Sequence, residues 1–302
     1  MVVSTTTRNI FSTLGYEAGT EFIKECGFDA MDMGLMRQTA EKEEFSEENY
    51  EKTCKMLLRE AEKNGLYFNQ AHSPYPAVTM VDRDQETVEE YNQKIWPHVV
   101  RSIKIAGILG AKQVVVHPVD CTSVPEINQK EFNLEFFNSL IPYCKEYNVK
   151  IALENMWRNS KELGRRTANV CSFGRDLADY VDALDERYFT VCLDLGHSSI
   201  VGQLPEEAIR ELGGKRLTAL HVHDNNTLED LHTIPFMGKT NWSEVMKALA
   251  DIDYQGDLTF EVLTDKFPVI RKSAEMTKNY YKLLASTGKE LVKMFENHKK
   301  EM

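Results

Sequence analysis

Six short apolar segments of this sequence end on a side chain that can bind a metal ion or transfer a proton. Reading from the N-terminus, the residues at these ends are His72, His117, Glu154, Asp194, His221 and Glu261. Carboxylates and imidazoles without a thiolate suit a divalent ion that accepts oxygen and nitrogen donors, such as Mn²⁺, Co²⁺, Mg²⁺ or Zn²⁺. The pattern therefore predicts a metal centre assembled from several strands.

The segments that end on these residues alternate with longer amphipathic stretches. Short apolar runs rich in Val, Ile, Leu and Phe predict parallel strands covered on both faces, at 2–5, 28–33, 67–72, 113–117, 150–154, 188–194, 217–224 and 257–261. Between them, apolar residues recur every three or four positions, which predicts helices. These helices cover about 44–64, 85–109, 129–147, 172–184, 205–212 and 241–250, followed by the last helices of the chain.

Eight strand–helix units predict an α/β protein with the (β/α)8 TIM barrel fold. A doubly wound open sheet is the alternative, but no glycine-rich phosphate turn follows the first strand. No linker rich in Pro, Gly or Ser divides the chain, so residues 1–302 are expected to form a single domain. Catalytic residues of such barrels lie at the carboxyl ends of the strands, where the six residues above are placed.

Four of the six come from strands five to eight, which are neighbours around one half of the barrel. They are Glu154, Asp194, His221 and Glu261. We expect them to converge on one metal ion and to leave positions for substrate oxygens. An ion there would polarise a carbonyl and stabilise an enediolate. Glu154 and Glu261 reach the ion from opposite sides, so each could keep one oxygen for proton transfer.

Five further residues near the strand ends are candidates for additional metal or substrate contacts. His72 and His117 would bind a metal or donate hydrogen bonds to substrate hydroxyls. His197 follows the sixth strand in the segment LDLGHSS. Asp230 and His232 form an Asp-x-His pair, which is expected to place both side chains on one side of an extended segment; a simple loop turn is the alternative.

Trp157 and Arg158, which follow Glu154 in the sequence, are candidates for substrate binding. An aromatic ring at Trp157 could stack on a sugar face. Arg158 belongs to a basic loop whose other cations are Lys161, Arg165 and Arg166. Because arginine binds phosphate or carboxylate through paired hydrogen bonds, the loop favours an anionic substrate. A solvated loop or a subunit contact is the alternative, and the sequence leaves a homo-oligomer open.

Charge and composition narrow the class of protein. The chain has 36 Lys and Arg against 47 Asp and Glu, a net charge of −11, which argues against binding nucleic acid. No apolar run reaches the roughly 18–20 residues that span a bilayer, so no membrane association is expected. The N-terminus lacks the pattern of a signal peptide, and the six cysteines form no CxxC motif. These features predict a cytoplasmic protein.

The motifs, taken together, resemble those of the xylose isomerase-like barrels. In order, they are AHSPY, VVVHP, ALENMW, CLDLGH, LHVHDNN, DLHTIPFMGKTNW and TFEV. The sequence is most similar to the sugar phosphate isomerase/epimerase group, which includes ketose 3-epimerases, inosose dehydratases and hydroxypyruvate isomerases. The resemblance implies a metal at Glu154, Asp194, His221 and Glu261. It also implies that the two glutamates deprotonate and reprotonate a carbon, and that His197 contacts the substrate near its carbonyl.

Endonuclease IV shares this scaffold and implies a different site. Its three-zinc centre uses ligands that match His72, His117, Glu154, Asp194, His197, His221, Asp230, His232 and Glu261. The net charge of −11 and the HTIPFMGKTNW segment favour the sugar enzymes instead. Ketose 3-epimerases, for their part, carry an arginine where this chain has Thr227 and a glutamate where it has Arg158.

The sequence thus predicts a divalent-metal-dependent sugar or sugar-phosphate isomerase or epimerase that acts on a small carbohydrate. One alternative is a metal-dependent lyase or dehydratase acting on a sugar derivative or glycoside. A zinc phosphodiesterase similar to endonuclease IV is the other.

Overall fold

Eight parallel strands follow one another around a barrel in the computed structural model, which describes residues 1–83 and 85–302. In chain order the strands are β1 (Val3–Thr6), β2 (Ala30–Gly34), β3 (Phe68–His72), β4 (Gln113–Val116), β5 (Lys150–Glu154), β6 (Trp157–Ser160), β7 (Arg165–Ala168), β8 (Phe189–Asp194), β9 (Leu217–His221) and β10 (Leu258–Phe260). β6 and β7 form an antiparallel hairpin outside the barrel. The barrel strands are ordered β10, β1, β2, β3, β4, β5, β8, β9.

Backbone hydrogen bonds just beyond β9 and β10 close the barrel. The Val222 N–H donates to the carbonyl of Thr259 (2.9 Å), and the Glu261 N–H donates to the carbonyl of Val222 (3.2 Å). The predicted (β/α)8 TIM barrel is therefore confirmed, and the open-sheet alternative is wrong.

Helices surround the barrel and connect its strands. Within the described residues they are α1 (Arg8–Leu14), α2 (Tyr16–Cys26), α3 (Arg37–Ala40), α4 (Tyr50–Lys63), α5 (Val88–Ile108), α6 (Gln129–Asn138), α7 (Ile141–Tyr147), α8 (Gly174–Val181), α9 (Leu195–Val201), α10 (Pro205–Arg216), α11 (Trp242–Asp251) and α12 (Ala274–Glu301). Short 3-10 turns occupy Glu43–Phe45, Thr264–Lys266 and Ile270–Lys272. None of the helices in this part of the chain has the length and apolarity that a membrane crossing requires.

Helix α5 shows how the sequence specifies one of these elements. The Thr87 side chain accepts a hydrogen bond from the Glu90 N–H (3.3 Å), and the Glu90 carboxylate accepts one from the Thr87 N–H (3.0 Å). This reciprocal cap satisfies two donors that a helix start leaves free. The buried stripe that faces the barrel comprises Tyr91, Ile95, Val99 and Ile103. The helix predicted over 85–109 is confirmed.

Four features differ from the sequence prediction. Helices α1 and α2 precede the second strand, where no helical segment was predicted. The predicted helix at 129–147 divides into α6 and α7, because Pro142 in the first turn of α7 lacks the N–H that a continuous helix needs. The basic loop after Glu154 is the β6–β7 hairpin. Helix α9 starts directly after β8, since the Asp194 carboxylate accepts a hydrogen bond from the His197 N–H (2.7 Å).

Side chains fill the barrel beneath the strand ends. Val115, Ala152, Cys192 and Ala219 form a small apolar cluster in its interior. A chain of hydrogen bonds also crosses the interior, from the Ser4 hydroxyl to Asn69 (2.8 Å) and from the Asn69 amide to the Thr259 hydroxyl (2.8 Å). The ligand candidates therefore stand on a packed support rather than above an open channel.

Candidate metal centre at the strand ends

The four predicted primary ligands meet at the carboxyl end of the barrel. Asp194 and His221 are paired residues on the neighbouring strands β8 and β9. Glu154 is the last residue of β5, and Glu261 follows β10. One donor atom from each of the four lies within 4.8 Å of the others, and all four side chains are buried.

His221 lies at the centre of this cluster. Its Nδ1 atom is 3.0 Å from Glu154 Oε1, 3.6 Å from Glu261 Oε2 and 4.0 Å from Asp194 Oδ2. Three carboxylates this close together and at least nine-tenths buried require compensating positive charge. Three oxygen donors and one imidazole nitrogen are a donor set that suits Mn²⁺, Co²⁺, Mg²⁺ or Zn²⁺, so the residues fit a divalent ion.

Asn155 ties two of the ligand-bearing strands together. Its side-chain carbonyl accepts a hydrogen bond from the Asp194 N–H (2.7 Å), and its amide donates to the Asp194 carbonyl (2.9 Å). Its backbone carbonyl lies 2.8 Å from His197 Nδ1. A single buried residue therefore sets the relative positions of Glu154, Asp194 and His197.

His72 and His117 extend the cluster on the side of Glu154. Glu154 Oε2 lies 2.8 Å from His117 Nε2 and 3.4 Å from His72 Nε2, and the two Nε2 atoms are 3.2 Å apart. His72 Nδ1 is 2.7 Å from the carbonyl of Ser73, which can only accept, so Nδ1 carries a proton. In neutral His72 the Nε2 lone pair therefore faces a carboxylate, an arrangement that a cation between them would stabilise.

A third group lies beyond Asp194 and consists of His197, His223, Asp230 and His232. Asp230 Oδ2 is 3.0 Å from His232 Nε2, whereas Asp230 Oδ1 makes no hydrogen bond within the described structure. His232 Nδ1 lies 2.7 Å from the carbonyl of Glu261, which fixes the proton on Nδ1 and leaves Nε2 as a ligand. These donors would accept a further metal ion or polar substrate groups.

The carboxylate of Asp224 holds the loop that carries Asp230 and His232. This carboxylate accepts a hydrogen bond from the Trp242 indole N–H (2.9 Å). It also accepts hydrogen bonds from four backbone N–H groups, those of Asn225, Phe236, Gly238 and Thr240. His232 has φ of 49°, in the left-handed region. The expectation of an extended Asp-x-His segment is therefore wrong, although the two side chains do meet.

Electrostatics within the cluster favour ionised pairs. Burial opposes ionisation of Glu154, but His221 and His117 beside it hold the pKa of this carboxyl well below its usual value. Burial also opposes protonation of His221, yet the acidic groups around it, including Glu154, raise its pKa well above the usual value. Burial likewise acts to lower the pKa of His223, but Asp194 raises it to about 9.

A cavity of about 480 Å³ opens above the cluster. Glu154 and Glu261 line it, and the hairpin contributes Trp157 and Arg158, the two predicted substrate-binding residues. The Trp157 ring meets the edge of His197, with centroids 6.2 Å apart, and the guanidinium of Arg166 lies 4.6 Å above the ring. The hairpin thus forms one wall of the cavity.

Sequence reasoning missed two residues of this site. His223 has the same inward alternation as His221, a signal that was present in the segment LHVHD. Asp32 lies in β2, is fully buried, and neither of its carboxylate oxygens has a hydrogen-bond partner among the described residues. Its position near the end of a predicted strand was the available signal.

Comparison with known proteins identifies the family. Residues 20–280 match the family model described as xylose isomerase-like TIM barrel. The chain belongs to this family. Its fold is shared with D-psicose 3-epimerase from Clostridium cellulolyticum H10, at a TM-score of 0.72 and 16% identity, over 97% of this chain and 99% of that one.

Curated relatives cover parts of the chain. Uncharacterized protein y4fM from Sinorhizobium fredii is 33% identical over 57% of this chain and 53% of its own length, so the chain spans about half of that relative. D-psicose 3-epimerase from Enterocloster bolteae is 26% identical over 68% of this chain and 64% of its own length. Probable endonuclease 4 from Acholeplasma laidlawii is 28% identical over 42% of this chain and 39% of its own length.

Proposed function

We propose that this protein is a divalent-metal-dependent sugar or sugar-phosphate isomerase or epimerase. The reaction is proton transfer at a carbon next to a carbonyl, through an enediolate. A divalent ion held by Glu154, Asp194, His221 and Glu261 would act as a Lewis acid toward the substrate carbonyl. The substrate is a small carbohydrate.

The observation that carries this proposal is that two of the four ligands line the cavity and two do not. Asp194 and His221 are completely buried. Glu154 and Glu261 line the cavity. The two carboxylates that can reach a substrate are therefore the two that the mechanism needs as bases, and the other two ligands serve the ion alone.

The protein groups would then act as follows. One glutamate removes the proton from the carbon, and the other returns a proton to the opposite face, which inverts the stereocentre. Return of a proton to the neighbouring carbon instead would give an isomer. Trp157 would cover a face of the sugar, Arg158 would bind a polar group, and His197 would hydrogen-bond near the carbonyl.

The named relatives support this assignment at the level of reaction class. The Enterocloster protein carries the name D-psicose 3-epimerase, and the structural neighbour from Clostridium cellulolyticum carries the same name. Family membership adds a scaffold in which the strand ends form the active site. From the chain's composition we further propose a single domain, a cytoplasmic location and no binding to nucleic acid.

The additional donors favour a second candidate. His72 and His117 beside Glu154, and His197, Asp230 and His232 beyond Asp194, form two more groups able to hold an ion. Clustered metal ions suit phosphodiester cleavage. This candidate is an endonuclease-like zinc phosphodiesterase. The net charge of −11 weighs against a DNA substrate, and we rank it second.

A solvent-deuterium screen tests the proposal. Metal-free protein is loaded separately with Mn²⁺, Co²⁺, Mg²⁺ or Zn²⁺ and incubated in D₂O with ketoses, aldoses and their phosphates. Deuterium incorporated at a carbon next to the carbonyl, with an epimer or isomer as product, supports the proposed function. Loss of water from the substrate would identify a dehydratase. Incision of an abasic-site duplex, with no exchange into any sugar, would favour the phosphodiesterase.

A further inference from the structure

Cations from separate segments of the chain line the cavity above the candidate metal centre. Arg8 follows β1, Arg158 lies on β6, and Lys266 follows the last barrel strand; all three line the cavity together with Arg83. We propose that the substrate carries an anionic group, a phosphate or a carboxylate, and that Arg8, Arg158 and Lys266 bind it. This inference rests on the proposed function and names its substrate class.

The three cations that line the cavity have no carboxylate partners among the described residues. Six arginines outside the cavity have a carboxylate oxygen within 3.2 Å, whereas Arg59, Arg165, Arg166 and Arg271 have none within 4.0 Å among the described residues; the six are Arg37, Arg101, Arg175, Arg187, Arg210 and Arg216. For Arg8, Arg158 and Lys266, no carboxylate oxygen of the described residues lies within 4.0 Å. What sets these three apart is that they come from separate segments and line one cavity, which in a chain with eleven excess negative charges favours an external anion.

Arg158 keeps its capacity for paired hydrogen bonds. Its Nε donates to the carbonyl of Ala168 (3.3 Å), and Nη1 lies at the limit of hydrogen bonding from the Thr122 hydroxyl (3.5 Å). Both acceptors are neutral, so the full charge of the guanidinium is available. Pairing of Arg158 with Thr167 across the β6–β7 hairpin holds its backbone in place. A guanidinium with unused donors matches the oxygens of phosphate or carboxylate.

Arg8 is fixed by close packing at the end of β1. A Cβ atom at Gly34 would lie 3.2 Å from Arg8 Cβ, so the glycine provides the room for this arginine. The Arg8 N–H donates to the Thr6 hydroxyl (3.4 Å). Arg8 is half-buried, which makes its charge less screened than that of a fully exposed side chain.

The acidic groups of the cavity do not cancel these cations once the centre is loaded. Glu154 and Glu261 belong to the central ligand group, where a divalent ion would offset two of the three negative charges, and Asp230 is paired with His232 (3.0 Å). Asp265 also lines the cavity, and its Oδ1 accepts a hydrogen bond from the Asn9 amide (3.2 Å). A volume of about 480 Å³ is suited to a monosaccharide derivative.

Substrate comparison and charge removal test the inference together. Exchange rates are measured for a neutral ketose, for its phosphate ester at the carbon farthest from the carbonyl, and for the carboxylate of equal chain length. Each is measured with the native protein, Arg158→Met and Arg8→Met. Arg59→Met is the control, because Arg59 is exposed on α4 outside the cavity.

We expect a higher kcat/KM for one of the two anions than for the neutral ketose, and the better anion identifies the group. Loss of a charged hydrogen bond should raise KM for that substrate by about 10- to 100-fold in Arg158→Met, with a smaller change in kcat. The control should behave as the native protein does. Equal kcat/KM of the native protein for neutral and anionic sugars would overturn the inference. So would an equal loss of kcat/KM on both kinds of sugar in the arginine variants. Neither result would overturn the proposed function.

Two further outcomes separate this inference from the function on which it rests. Absence of exchange with every sugar would refute the proposed function, and the inference with it. Cleavage of an abasic-site duplex that depends on Arg158 would show that the cations bind a nucleic-acid phosphate, which would also overturn it.

Discussion

His223 Nε2 lies 3.0 Å from both carboxylate oxygens of Asp194. Both side chains are completely buried. The ring occupies space that a side chain on Gly196 would fill, because a Cβ there would lie 2.0 Å from His223 Cε1. His223 therefore orients the carboxylate that joins the central ligand group to the group around Asp230.

The first prediction follows from this contact. His223→Asn should lower the affinity for Mn²⁺ by about 10- to 100-fold, as loss of a group that orients a ligand typically does. Gly196→Ala should act in the same direction, since the added methyl group displaces the ring. Metal titration of the purified protein measures both effects.

His298→Asn is the matched control for this prediction, because His298 lies on the last helix away from the cluster. Native affinity in His223→Asn would show that Asp194 needs no support from this ring.

The second prediction concerns metal removal. Since the cluster buries three carboxylates, chelation should leave a folded but less stable protein without exchange activity. Adding the ion back at a hundredfold excess over Kd should raise the free energy of unfolding by about 3 kcal/mol. Thermal denaturation with and without Mn²⁺ measures the change. An unchanged Tm under saturating metal, or full activity after chelation, would contradict a preformed metal site.

The third prediction concerns the two glutamates that line the cavity. Glu154→Gln and Glu261→Gln keep the size and one oxygen donor but remove the basic carboxylate. The exchange rate should fall by about 10²–10⁴-fold in each. Metal content must be determined in the same samples, because both residues are also ligands in the proposal. Metal-loaded variants that turn over at the native rate would exclude the two-carboxylate mechanism.

The ligand set could be predicted from sequence because strand geometry is regular. Parallel strands of a barrel end on one face, and alternate residues point inward, so the last inward residue of each strand is a site candidate. This reasoning placed Glu154, Asp194 and His221 at the centre of the cluster that the structure contains. It missed His223, which continues the same alternation just beyond the end of β9.

Other parts of the site depend on long-range packing that no local pattern shows. The β6–β7 hairpin is short and mostly polar, a composition that predicts a loop, yet it forms a wall of the cavity. Arg8 and Lys266 are distant in the sequence and line the same cavity only because the barrel closes. The Asp-x-His pair forms through the hydrogen bonds to Asp224 and through a left-handed residue at His232, which spacing alone did not indicate.

The fourth prediction separates one metal ion from several. His72→Asn and Asp230→Asn each remove a donor from an outer group while leaving the central four residues intact. If the enzyme uses a single ion, metal content should remain near one per chain and the exchange rate should fall only modestly. Elemental analysis alongside the exchange assay measures this. A native protein with three zinc ions per chain, of which one is lost in each variant, would support the phosphodiesterase instead.

The last prediction concerns Asp32, the buried carboxyl without hydrogen-bond partners. Burial raises its pKa from 3.8 to about 6, so the folded protein binds the proton more tightly than the unfolded chain does. The stability that this group contributes at low pH is lost as the pH rises from about 4 to about 6. The loss in the free energy of unfolding amounts to roughly 3 kcal/mol. Asp32→Asn removes the titration and should be more stable than the native protein at pH 7.

Denaturant unfolding in EDTA at several pH values tests this directly, because chelation keeps a bound cation from stabilising the ionised form. The advantage of Asp32→Asn should shrink as the pH falls and should level off below about pH 4, where Asp32 is protonated in both states. Asp29→Asn, at an exposed position three residues earlier, removes the same charge without burial and should show no such profile. A pH-independent difference between Asp32→Asn and the native protein would mean that Asp32 does not titrate differently in the folded state. The ionised carboxylate would then have to be held by positive charge from the histidines above it.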